Sequence, residues 1–116
     1  RCKSMDREVN SEVMDRFLRY IRIGTQSEEG VEDRYPSTEG QLELLRLLVE
    51  ELKEMGMDEV EMDKYGYVTA TLPSNPPEGK NPPVIGFIAH VDTSPEASGD
   101  GVNPVIHENY QGEKIV

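Results

Sequence analysis

His90 and Asp92 stand two residues apart at the end of the apolar run Val84-Ile85-Gly86-Phe87-Ile88-Ala89, and the small, turn-forming residues Thr93-Ser94-Pro95 follow them. Along an extended chain, residues two apart point the same way, so the imidazole and the carboxylate can face one pocket while Val91 turns back into the protein. A neutral imidazole is a common zinc ligand, and a carboxylate beside it can orient the ring or take part in proton transfer. The pair reads as half of a metal site. Taken alone it is a weak signal, because His-x-Asp arises readily by chance and a histidine at a strand end is more often a hydrogen-bonded structural residue.

Other candidates carry less. Ser94 lacks a Gly-x-Ser-x-Gly elbow and any pattern tying it to His107, so it ranks far below the metal reading as a nucleophile. His107, in Val105-Ile106-His107-Glu108, is expected on a surface strand rather than on a metal, and Asp100 reads as a loop residue on a turn-rich pocket rim. Met55, Met57 and Met62 read as gap-fillers in the core. Tyr65 and Tyr67, flanking a turn, are expected to cover a sheet edge.

The elements that must position the pair follow from hydrophobic spacing. The run 84–89 has the β-branched and aromatic content of a strand, and its unbroken hydrophobicity suits burial on both faces. Ligands in open α/β sheets bind at the carboxyl ends of such strands. Upstream, Val9, Val13, Phe17 and Ile21, with Leu18 beside them, lay an apolar stripe along a core-packing helix that ends near Gly24. Residues 23–36 form a long polar connection holding Thr25, Gln26 and Ser27. Thr38 followed by Gln41 predicts a capping box at the start of a second helix. Its stripe runs through Leu42, Leu44, Leu45, Leu48, Val49, Leu52 and Met55 and stops at Gly56. Val60 and Met62 alternate with acids, residues 63–66 have turn chemistry, and 67–72 read as the returning strand of a hairpin. The proline-rich stretch 73–83 must cross the surface.

Composition bounds the function. The 116 residues carry a net charge of −11 and a pI near 4.5. That argues against nucleic acid and anionic membranes, which attract basic patches. Glu28-Glu29, Glu50-Glu51 and Asp58-Glu59 read as solvated surface rather than metal ligands. Hydrophobic content of 35% with a mean hydropathy of −0.62 leaves modest core material. Cys2 is the one cysteine, which rules out an internal disulfide and fits a reducing compartment. No stretch approaches the roughly 20 apolar residues of a membrane span, and no signal peptide is visible, so a soluble cytoplasmic protein is expected. Residues 1–4, ahead of Met5, read as an upstream leader or a cloning remnant.

Beyond spacing, several segments carry a resemblance. Thr25-Gln26-Ser27, Pro36-Ser37-Thr38-Glu39-Gly40-Gln41, Gly86 through Pro95, Val102-Asn103-Pro104 and Glu108-Asn109-Tyr110 occur in this order. Together they resemble the amino terminus of the tripeptide aminopeptidases of the M20 zinc metallopeptidase family. The resemblance runs from about Met5 to Val116. Its most specific pieces are Pro36 to Gln41 and His90 to Pro95, of which the second alone would indicate only the wider family.

By that resemblance His90 matches a zinc ligand and Asp92 the catalytic aspartate that supports it. Two zinc ions per intact catalytic domain are implied. The metal-bridging aspartate, the general-base glutamate and the other ligands would lie farther along, and the resemblance assigns Thr25, Gln26 and Ser27 no catalytic role. The implied fold is α/β, with residues 5–116 forming the amino-terminal part of a mixed β-sheet flanked by helices in an incomplete catalytic domain. The implied partner is a short peptide, and homo-oligomer formation by the intact protein stays open. The fragment alone is expected to bind zinc weakly and to be inactive. Two alternatives stand beside this: another M20-type hydrolase, such as a carboxypeptidase or deacylase, and a non-catalytic acidic binding module.

Overall fold

A computed structural model describes residues 3–107, 110–112 and 114–115, with side chains described from residue 11 onward. Arg1 and Cys2, the side chains of Met5 and Val9, and Glu108-Asn109 lie outside the described set. The element order is α1 (Lys3–Tyr20), α2 (Glu39–Glu54), β1 (Asp58–Met62) and β2 (Val68–Thr71). The chain is thus α/β, with two helices and a two-stranded antiparallel sheet.

Helix α2 and the hairpin form the packed centre. Leu44 and Leu45 on α2 are the buried hydrophobics among the described residues, and α2 packs on both strands. Thr38 is the N-cap residue, with extended backbone (φ −130°, ψ 151°), but its side chain makes no capping hydrogen bond. The predicted capping box is therefore not formed. The Thr38 hydroxyl instead donates to the Gln26 carbonyl at 2.9 Å, and Gln41 Nε2 donates to Thr38 Oγ1 at 3.1 Å and to Ser37 Oγ at 3.2 Å. The Thr38 oxygen that would accept a backbone N–H in a cap accepts from the Gln41 side chain instead, while its O–H docks the preceding loop.

The far end of α2 matches its sequence signal. Met57 N–H donates to Leu52 O and Gly56 N–H to Lys53 O, with Gly56 at φ +76°, the paired closing bonds of a Schellman motif. In the hairpin, Asp58 faces Thr71, Glu61 faces Thr69 and Met62 faces Val68, with a register shift between Asp58 and Glu61. Asp63 Oδ1 organises the turn by accepting from the backbone N–H groups of Tyr65 (2.8 Å) and Tyr67 (2.9 Å). Gly66, at φ +86°, presses against Leu45 and Pro36, where an added Cβ would lie 3.1 Å from each.

Several expectations fail here, for one reason. On α1, which ends at Tyr20 rather than near Gly24, Val13 and Phe17 are 62% and 57% exposed, so the stripe does not pack a core. Residues 84–89 form no strand, and Val84, Phe87 and Ile88 are almost fully exposed. Met55 and Met62 are exposed rather than filling gaps, and Tyr65 and Tyr67 also lie open. His107 lies in irregular chain rather than on a strand. Hydrophobic spacing records which residues need cover, not whether a covering surface is present. A Cα radius of gyration of 18.2 Å, against about 13 Å for a compact domain of this length, agrees that much apolar surface has no cover.

Candidate functional site

The sequence pair does meet. His90 Nδ1 lies 3.0 Å from Asp92 Oδ1, with the two side chains 84% and 46% exposed. A carboxylate at Nδ1 holds the proton there and leaves the Nε2 lone pair free to bind a metal. The pair does not sit at the end of a buried strand, since residues 84–89 have no strand partner among the described residues.

What orders the segment lies just after Asp92. Thr93 forms a parallel bridge with Gln26. The Thr93 N–H donates to Thr25 O at 3.1 Å, and Ser27 N–H donates to Thr93 O at 3.0 Å. Side chains reinforce the bridge: Ser27 Oγ donates to Thr93 O at 3.1 Å, and Gln26 Nε2 donates to Pro95 O at 2.6 Å. Thr25 is buried. Through Thr38, which holds the Gln26 carbonyl, the bridge is fixed to the start of α2.

Two glycines allow this approach. A Cβ on Gly40 would fall 1.7 Å from the Gly24 carbonyl oxygen, and one on Gly24 would fall 2.0 Å from Asp100 Oδ1. Helix α2, the loop after α1 and the loop after Asp92 therefore converge, around an open cleft of about 640 Å³ lined by Gly24, Gln26, Ser27, Thr38, Pro95 and Asp100 with Glu28, Glu29 and Glu96 at its rim. Asp100, read from sequence as a loop residue, lines this cleft, and Ser94 and His107 do not.

A second cluster joins the helices. Glu51 is 6% exposed, which corrects its reading as solvated surface. Arg16 Nη1 lies 2.6 Å from Glu51 Oε2, and the Tyr20 hydroxyl donates to the same oxygen. Arg19 Nη2 lies 2.9 Å from Oε1, close enough for ion pairing, although Oε1 accepts no well-aligned hydrogen bond. Burial, and then the hydrogen bond to Glu51, raise the Tyr20 phenol above its ordinary value, and the hydrogen bond with Tyr20 leads the causes that raise Arg16. Helical spacing held the signal: position 51 follows Leu44 and Leu48 at intervals of seven and three, on the buried face. Thr25, Gln26 and Ser27 offered no comparable periodicity.

Among the described residues, no group of three or more His, Cys, Asp or Glu side chains is arranged to hold a metal ion. The donor set here fits one zinc ligand and its orienting carboxylate, not a closed site, since catalytic zinc commonly takes three protein ligands. Also among the described residues, no helix is long and apolar enough to cross a membrane.

No family model matches the chain. It is 56% identical over 106 residues to peptidase T of Halothermothrix orenii, covering 91% of this chain and 25% of that protein. It is 52% identical over 108 residues to peptidase T of Geobacillus thermodenitrificans and 51% identical over 108 residues to that of Listeria innocua, each covering 93% of this chain and 26% of the relative. The chain thus spans about a quarter of the length of these relatives. Identity of this order over more than nine-tenths of the chain makes it a homologue of peptidase T, matched along about a quarter of that protein's length.

Proposed function

We propose that this chain is the part of a zinc-dependent tripeptide aminopeptidase, with an M20-type catalytic domain, that supplies His90 as a metal ligand and Asp92 as the aspartate supporting it. The observation that carries the reading is the 3.0 Å approach of His90 Nδ1 to Asp92 Oδ1, on a chain homologous to peptidase T. Asp92 accepts the Nδ1 proton, fixes the tautomer and ring plane, and directs Nε2 outward for coordination. Zinc, when bound, acidifies a water molecule and polarises the scissile carbonyl of a short peptide. The remaining ligands and the general base are supplied by residues outside this stretch, and the intact enzyme works in the cytoplasm.

The test is hydrolysis of free-amino tripeptides by the full-length native protein. Release of the first residue should stop on chelation, return with zinc, and fall below detection in His90→Ala. A preference for N-acylated amino acids over tripeptides would sink the tripeptidase reading in favour of another M20-type hydrolase. Hydrolysis that depends on His90 in the 116-residue chain alone would contradict the need for further ligands.

A further inference from the structure

The segment that carries His90 and Asp92 emerges from an exposed, irregular run, residues 81–90. Within that run His90 meets Asp92, but its own side chain is 84% exposed and gives the carboxylate no anchored partner. Order begins at the next residue. Both backbone groups of Thr93 are bonded, its N–H to Thr25 O and its C=O to Ser27 N–H. Two side chains then add to the grip from the same loop: Ser27 Oγ on the Thr93 carbonyl at 3.1 Å, and Gln26 Nε2 on the Pro95 carbonyl at 2.6 Å. These bonds reach back 66 and 69 residues. The loop that makes them is itself held to α2 by Thr38 Oγ1 on Gln26 O at 2.9 Å.

We propose that Ser27 and Gln26 are positioning residues for Asp92, gripping the carbonyls of Thr93 and Pro95 so that its carboxylate stays on His90 Nδ1. The proposal rests on the role given to Asp92 above. Neither side chain touches the reacting atoms. Each acts through the main chain of residues 93–95, whose peptide planes set the direction in which the Asp92 side chain leaves the backbone. A carboxylate free to swing loses the orientation that keeps Nε2 aimed at the metal, and misplacement of about an ångström in such a group costs up to about a hundredfold in rate.

The test uses the full-length native protein with Ser27→Ala, Gln26→Met and Ser27→Thr. Two quantities are read: the hydrogen-exchange rate of the Thr93 amide in metal-free protein, and kcat and KM for a tripeptide with zinc. Loss of one supporting hydrogen bond should speed Thr93 exchange roughly fivefold and lower kcat about tenfold, with KM changed by less than about twofold. Ser27→Thr, which keeps the hydroxyl, should restore both. Thr93 exchange that stays at the wild-type rate in both Ser27→Ala and Gln26→Met would overturn the proposal. So would faster exchange with kcat unchanged, or a kcat loss that Ser27→Thr does not repair. Wild-type protein without tripeptidase activity would refute the proposed function instead, and Thr93 exchange would still decide whether the grip exists.

Discussion

Removing the Glu51 carboxylate should loosen α1 from α2 without unfolding α2. Glu51 is the shared partner of Arg16, Arg19 and Tyr20, while the apolar residues Val13 and Phe17 on α1 face solvent. The helix–helix tie is therefore polar. In Glu51→Ala the Tyr20 hydroxyl loses a charged acceptor, worth about 1.5 kcal/mol. Arg19, whose side chain is 51% exposed, loses an ion pair worth about 0.5 kcal/mol. Arg16 is freed as well and rehydrates. Together these amount to about 2 kcal/mol, or roughly a thirtyfold rise in the opening equilibrium. Most helical stability in proteins comes from tertiary packing rather than from propensity, so opening of the tie exposes the amides of α1. Hydrogen exchange of residues 11–20 should accelerate by about that factor in Glu51→Ala while the amides around Leu44 and Leu45 keep their rates. Glu51→Gln, which retains a neutral acceptor for Tyr20, should accelerate it by about fivefold. Exchange over 11–20 within about twofold of wild type in Glu51→Ala would refute the polar-tie account.

Tyr20 has its pKa raised by burial first and by the Glu51 hydrogen bond second. A raised folded value means that its contribution is complete below the ordinary value of about 10 and is lost as pH climbs through the folded value. An ultraviolet titration of the five tyrosines should show one ionising above the others and should lose that component in Tyr20→Phe; an unchanged curve would contradict it. Gly40→Ala should cost about 2–3 kcal/mol in urea unfolding, reversing the gain of up to about 1 kcal/mol that this change gives in an open helix, because the clashing Gly24 carbonyl is backbone. Gly24→Ala meets only the end of the Asp100 side chain and should cost less than half as much. Phe87→Lys in the 116-residue chain should lower light scattering at a given concentration, since an uncovered apolar run promotes association; equal scattering would show that residues 84–88 are not the sticky surface.

Local chemistry was legible in the sequence where neighbours in the chain decide the outcome. The Gly56 terminus of α2, the Asp63–Gly66 turn and the proline-rich crossing all depend on residues within a few positions, and all were found. The His90–Asp92 approach is local too. Features set by distant partners were not legible. Thr38 looked like a capping-box residue because a distant acceptor, Gln26 O, is invisible in a local window. Residues 84–89 looked like a strand because their composition states a need for cover, and only the surroundings can meet it. Glu51 looked solvated because acids usually are, although its place in the Leu44–Leu48 spacing marked the buried face.

The bridge between Gln26 and Thr93 also bears on the order of folding. Helix α2 and the hairpin close over short stretches of chain, the hairpin pairing Asp58 with Thr71. The bond from Ser27 to Thr93 spans 66 residues. Loop-closure entropy makes that join about 1.4 kcal/mol more costly than the hairpin's. The segment with His90 and Asp92 is thus expected to be fixed after the rest, on a centre that has already formed. In kinetic terms, Ser27→Ala should speed unfolding and leave the folding rate nearly unchanged, with a φ-value near zero, while truncations at Leu44 or Leu45 should slow folding. A φ-value near one at Ser27 would reverse that order.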